Sequence, residues 1–133
     1  MERGEVWWAS VVERELVVLL SGGGAEIRAV QIVAPAGASE KRGFAVLSGA
    51  EALDAVLVSA ALASGASAVG VEVAVGEGAR AHGVVRVGLA RDGQVFCTWL
   101  VTLEPEHLVE QVGRLTPGEL VELANALKLS GVE

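Results

Sequence analysis

Apolar residues come in short runs, broken by polar or glycine-rich stretches. Glu5 to Ser10 and Leu16 to Ser21 are two such runs, rich in Val, Leu and Trp. Both read as strands, joined by a polar-centred connection through Glu13, Arg14 and Glu15. Trp7 and Trp8 are adjacent in the first run, and a strand sends neighbouring side chains to opposite faces. Ser21 and the three glycines after it read as a turn. Ile27 to Val33 reads as a third strand, ended by Pro35, which has no N–H for a central ladder. Ala36 to Arg42 is a polar loop, and Gly43 to Leu47 a short strand.

Ser48-Gly49-Ala50-Glu51 has the spacing of a capping box. Leu53, Val56, Leu57 and Ala60 follow at helical spacing and predict a buried stripe, with Ser64-Gly65 as the stop. Val69, Val71, Val73 and Val75 alternate and predict one buried face of a strand. A glycine-rich loop, Gly76 to Gly83, leads to a hairpin of Val84 to Ala90 and Gln94 to Leu103, turned by Arg91-Asp92-Gly93. A short helix is expected near Glu104-Pro105. Thr116-Pro117-Gly118-Glu119 is a second capping box. It opens a helix over Pro117 to Leu129 with a stripe of Leu120, Leu123, Ala124 and Leu127 and a stop at Gly131. The layout is mainly β and mostly antiparallel, with an inserted helix and a C-terminal helix.

The 133 residues suit one domain, expected to span 1–133. Hydrophobic residues make up 52% of the chain, so a core is available, built mostly from Ala and Val. The net charge of −7 argues against unspecific binding to a nucleic-acid backbone, and leaves room for a local arginine site or a basic partner. Cys97 is the one cysteine, so neither an internal disulfide nor a cysteine zinc cluster is expected. No run is long enough to span a bilayer and none has the form of a signal peptide, which points to a cytoplasmic protein away from membranes. The Ser21 glycine turn lacks the following lysine and helix of a phosphate-binding loop.

Both ends of the chain resemble the MazF/PemK/Kid toxins. The likeness runs through Arg3-Gly4-Glu5-Val6-Trp7-Trp8-Ala9, Leu16 to Ser21 and Val30 to Pro35. It resumes at Thr102-Leu103-Glu104, Leu108, Val112-Gly113-Arg114-Leu115-Thr116 and Leu120 to Leu129. It leaves a central insertion at about residues 41–70, which carries the extra helix. The resemblance implies an SH3-like barrel, a homodimer, an antitoxin partner and metal-independent cutting of single-stranded RNA, with no cofactor. It also implies that one tryptophan fills the barrel and the other faces a dimer seam or the C-terminal helix.

In that family an Arg just before the second strand works with a Thr or Ser after the third. Attack of a ribose 2′-OH on the next phosphate needs a proton acceptor, a proton donor and positive charge on the phosphorane. Aligned without gaps, the family arginine-proline pair falls on Glu15-Leu16, with Arg14 one residue early. The hydroxyl position falls on Gly37, with Ser39 two residues later. Arg14 and Ser39 are therefore the candidate catalytic residues, and Glu13, Arg42, Arg80 and His82 the candidate RNA contacts. A one-residue slip reverses the face of a strand residue. The alternative is a member that has lost catalysis and binds a protein or nucleic-acid partner as a dimer. His107, between acidic residues, lacks metal-ligand spacing.

Overall fold

The computed structural model describes residues 2–21, 25–39, 41–77, 83–89 and 100–133. Among the described residues, eight strands form two sheets. The larger contains β1 (Glu5–Ser10), β2 (Arg14–Leu19), β3 (Ile27–Gln31), β7 (Leu100–Leu103) and β8 (Leu108–Arg114), in the order β7-β3-β2-β1-β8 and antiparallel throughout. The smaller contains β4 (Phe44–Ser48), β5 (Ala68–Val75) and β6 (Gly83–Leu89), in the order β4-β5-β6. β4 runs parallel to β5, and parallel neighbours need a crossover. Residues 51–53, a 3-10 turn, and α1 (Ala55–Leu62) supply it. The central segment 41–70 thus contributes β4, α1 and the start of β5. The chain ends with α2 (Pro117–Ser130).

The fold is mainly β as the pattern indicates, but the described strands form two sheets and not a closed barrel. The main core lies between them. Val6, Val18 and Val30 come from the large sheet, Val71, Val73, Val85 and Val87 from the small one, and Leu123, Ala126 and Leu127 from α2. The alternation of Val69, Val71, Val73 and Val75 is realised, all four at 2% exposure or less. A second cluster, Val17, Leu19, Ile27, Ala29 and Leu103, covers the other face of the large sheet. β2 is therefore buried on both faces, which explains its unbroken apolar run. The two tryptophans divide between these clusters: Trp8 packs against the main core, which includes α2, and Trp7 against the second.

Several expectations need correction. The stripe of Leu53, Val56, Leu57 and Ala60 is exposed, and Val58 and Ala61 face the core. Both rows are apolar, so periodicity does not choose between them. The Ser48–Glu51 box forms, with Glu51 N donating to Ser48 Oγ at 3.1 Å and Ser48 N to Glu51 Oε1 at 2.9 Å. It closes at the entrance to the 3-10 turn, however, and Asp54 caps α1 by accepting from Val56 N at 2.9 Å. In α2 the cap and the Gly131 stop are as read, but Ala126 takes the buried place expected of Ala124. The helix near Glu104 is a single 3-10 turn, Pro105–His107. β8 follows it where no strand was expected. Its ladder with β1 shifts register between Val6 and Trp7 and again between Trp8 and Ala9, which breaks the period of two. The Arg91-Asp92-Gly93 turn and most of the strand after it lie outside the described residues.

Among the described residues, the backbone joins the two sheets at Val33. Ile32 N donates to Leu16 O at 2.8 Å, extending the β2–β3 ladder. The next residue leaves for β6: Val33 N donates to Val84 O at 2.9 Å and Val84 N to Val33 O at 2.8 Å. Gly83 makes this approach possible. A Cβ there would lie 2.6 Å from Val33 O and 2.7 Å from Ile32 Cγ2. Gly83→Ala should lower the unfolding free energy by about 1–3 kcal/mol in urea titration, as overpacking against backbone does. Gly118→Ala, with nothing within 4 Å, should leave it unchanged or slightly higher.

Candidate functional site

The Arg3-Gly4-Glu5 motif proves to be a fastening of the two chain ends. Arg3 donates to Glu133 at 2.7 and 2.5 Å through both terminal nitrogens, and to Leu20 O at 3.2 Å. The guanidinium bond holds the Glu133 carboxyl below the usual range, despite some burial. Gly4 has φ +91°, and a Cβ there would sit 2.8 Å from Leu120 Cδ2 of α2. Its N donates to Leu19 O at 2.8 Å, and its O accepts from Leu115 N at 2.8 Å. Glu5 is 6% exposed. It accepts from Trp7 Nε1 at 2.8 Å, from Glu2 N at 3.0 Å and from Arg114 Nη2 at 3.5 Å. Burial pushes the Glu5 carboxyl up, but these donors outweigh it and hold it below the usual range.

Arg14 opens β2 and so points away from Glu15. Glu15 stands opposite Ala9 of the second cluster, while Arg14 shares the face of Trp8. The Arg14 Cζ lies over the Trp8 ring, 4.9 Å from its centroid. Its Nη2 is 3.7 Å from Glu110 Oε1, and both side chains are about half exposed. Glu110 of β8 stands directly opposite Trp8 in the β1–β8 ladder. Arg14 therefore reaches from β2 across β1 to β8, along one face of three paired strands.

Ser39 is elsewhere. After the Val33–Val84 crossing the chain passes over the outer face of the small sheet. Arg86 of β6 donates Nη2 to Ala34 O at 2.7 Å. Glu72 of β5 accepts from Ala36 N at 2.7 Å, and its carboxylate lies 3.4 Å from Arg86 Nε and 3.6 Å from Lys41 Nζ. Lys41 N closes a turn onto Gly37 O at 3.1 Å, and Ser39 lies exposed at its centre. A cavity of about 250 Å³ beside it is lined by Lys41, Ser48, Glu51 and Glu72, among others. Arg14 thus lies in the large sheet and Ser39 in a turn beside the small one, and among the described residues no hydrogen bond joins them.

Of the other candidates, Glu13 is exposed in the β1–β2 turn, and Arg42 is exposed beside Ser39, whose carbonyl accepts its N–H at 3.4 Å. Arg80 and His82 lie outside the described residues. His107 Nδ1 accepts from Glu104 N at 3.0 Å, a capping role. Sequence reasoning missed Glu110 because its strand was not recognised. It also missed the Glu72–Arg86 pair, whose signal was present: one charged residue in the middle of each of two Val-rich strands.

No family model and no curated protein matches the chain. Solved structures do. An endoribonuclease in complex with its cognate antitoxin, from a mycobacterial species, matches with a TM-score of 0.55 at 14% identity, over 99% of this chain and 93% of that one. A second mycobacterial endoribonuclease matches with a TM-score of 0.57 at 14% identity, over 99% and 91%. The fold is therefore that of these endoribonucleases, in agreement with the resemblance carried by the two ends of the sequence.

The fastening has a pH signature. Glu5 has a folded pKa below its unfolded one, so its contribution is in force at neutral pH and is lost as pH falls through and below the ordinary glutamate value of about 4.3. Glu5→Gln should lower Tm at pH 7 and flatten the loss of Tm between pH 5 and 3, measured by circular dichroism.

Proposed function

We propose that the protein is a toxin-like, metal-independent endoribonuclease that cuts single-stranded RNA, acts as a homodimer and is held inactive by an antitoxin protein. The observation that carries this reading is Arg14 laid on Trp8, on a fold shared with endoribonucleases. A guanidinium offers fixed charge and forked donors to a phosphate, and an indole face beside it offers a stacking surface for a base. An antitoxin partner is supported by the neighbour solved with one. Residence in the cytoplasm goes with this reading, and no helix among the described residues is long and apolar enough to cross a membrane. Ser39 and Arg42 take supporting roles in RNA contact at most, since they lie in an exposed turn away from the Arg14 face, and Glu13, exposed in the turn just before Arg14, is a candidate contact beside it. Arg80 and His82 stay as candidate contacts on the sequence alone.

Purified protein should cut long single-stranded RNA in EDTA. Arg14→Ala should slow cutting on the order of 10²–10³-fold, the usual loss for one donor to a developing anion. Its Tm should stay nearly unchanged, because a half-exposed ion pair contributes little to stability. RNA left intact by the wild type would instead favour a non-catalytic, partner-binding protein.

The dimer is supported by apolar side chains left at the surface: Val109 on the edge strand β8, and Val121 and Leu129 on α2. Light scattering at micromolar concentration should give twice the 13.6 kDa chain mass. A monomer mass would refute the dimer.

A further inference from the structure

Resting on the endoribonuclease reading, we propose that Glu110 is a catalytic residue of this protein, the general base that takes the proton of the ribose 2′-OH, with Arg14 as its charge partner and Trp8 as the platform beneath. The hydroxyl that the third-strand loop was expected to supply is not on this face. Gly37 carries no side chain, and Ser39 lies on the outer side of the other sheet, behind the Val33–Val84 crossing. Arg14 instead has a carboxylate 3.7 Å away. A carboxylate accepts a proton, and a guanidinium stays charged throughout. The two together supply the base and the phosphorane charge that the reaction requires.

The placement is fixed by main-chain pairing. Trp8 faces Glu110 across one ladder of β1 and Leu16 across the other. Arg14 is two residues before Leu16 on the same face, so it approaches Trp8 diagonally and ends at Glu110. Both charged side chains are about half exposed, at 56% and 48%. At 3.7 Å the pair is longer than a hydrogen bond and adds little to stability at such exposure. An entering phosphate can therefore take Arg14 as its partner. The guanidinium then stands between two anions and offsets the repulsion that a lone carboxylate would present.

The step balances as follows. A Glu110 oxygen takes the 2′-OH proton while the 2′-oxygen uses that bond pair to bond the adjacent phosphorus. The bond from phosphorus to the 5′-oxygen breaks, and its electron pair leaves with that oxygen, which takes a proton from solvent water. Arg14 faces the non-bridging oxygens as charge grows there. Glu110 returns its proton to the hydroxide left by that water. The products are a 2′,3′-cyclic phosphate end and a 5′-hydroxyl end.

The test compares wild type, Glu110→Gln and Glu110→Asp on a single-stranded RNA oligonucleotide. Binding is measured on the same oligonucleotide with 2′-deoxy sugars, which cannot react. Glu110→Gln should lower kcat on the order of 10²–10⁴-fold, the range for a lost general base. The Kd for the deoxy oligonucleotide and the Tm should stay at wild-type values. Glu110→Asp should recover part of the rate. Cleavage by Glu110→Gln at the wild-type rate, or a parallel loss of binding and rate, overturns the base assignment and leaves the endoribonuclease reading standing. A wild type that cuts no RNA overturns both, so the two failures are told apart by the wild-type lane.

Discussion

The handover of the chain at Val33 governs the layout of this molecule. Ile32 belongs to the β2 ladder and Val33 to β6, so two sheets with different neighbours share one core without a loop between them. Gly83 makes room for the crossing, since any side chain there would meet the Val33 carbonyl. The segment just after Val33 is then committed to the outer face of the small sheet. Ala34 and Ala36 are caught by Arg86 and Glu72, and the turn at Ser39 follows them. The same crossing that closes the core thus separates the third-strand loop from the Arg14 face. A chain that carried the expected Arg and hydroxyl pair on one face would need another path at this point.

The distribution of arginines sharpens the choice of site. The −7 net charge leaves few cations, and several are committed to fastening. Arg3 is bound in a fork to Glu133, Arg114 bridges Glu2 and Glu5, and Arg86 joins Glu72 to the Ala34 carbonyl. In each of these pairs at least one partner is largely buried or held by several bonds. Arg14 differs: its ion pair with Glu110 is long and half-exposed, and its flat face rests on an aromatic ring. A guanidinium held in direction by stacking, yet weakly paired, is ready to take an anion at little cost in stability. An acidic surface around it favours a phosphate that is also held by stacking over one drawn by charge alone.

The fold was legible where the physics is local. Short apolar runs marked β1, β2 and β3, the alternation of Val69 to Val75 marked β5, and the Thr116 capping box marked the start of α2. Register is not local. β8 is bulged twice against β1, so its side chains do not alternate in sequence as they do in space. Without that strand, Glu110 has no place near Arg14, although the two side chains meet. The face of α1 was illegible for another reason: Leu53, Val56 and Leu57 are as apolar as Val58 and Ala61, and the row that turns inward is set by tertiary packing, on the side where Ala52 of the 3-10 turn is buried and its carbonyl accepts from Asn125 Nδ2 of α2 at 2.8 Å. The parity of Arg14 against Glu15 was legible in principle, and needed only the first residue of β2, which the structure supplies.

The paired tryptophans connect these strands of argument. β1 is an interior strand, lying between β2 and β8, with apolar clusters on both sides, so a large ring is accommodated on each face. Each ring also has work at its edge. The Trp7 indole N–H satisfies Glu5, the buried carboxylate that ties the N-terminal strand to Arg114 at the end of β8. The Trp8 ring carries Arg14. An indole suits both positions because an apolar body and a polar or electron-rich surface are joined in one rigid plane. The consequence is a division of labour by parity: a change at position 7 acts on the fastening of the chain ends, whereas a change at position 8 acts on the main core and on the direction of Arg14 together. Stability and the candidate site are therefore coupled through one residue of β1 and separated at its neighbour.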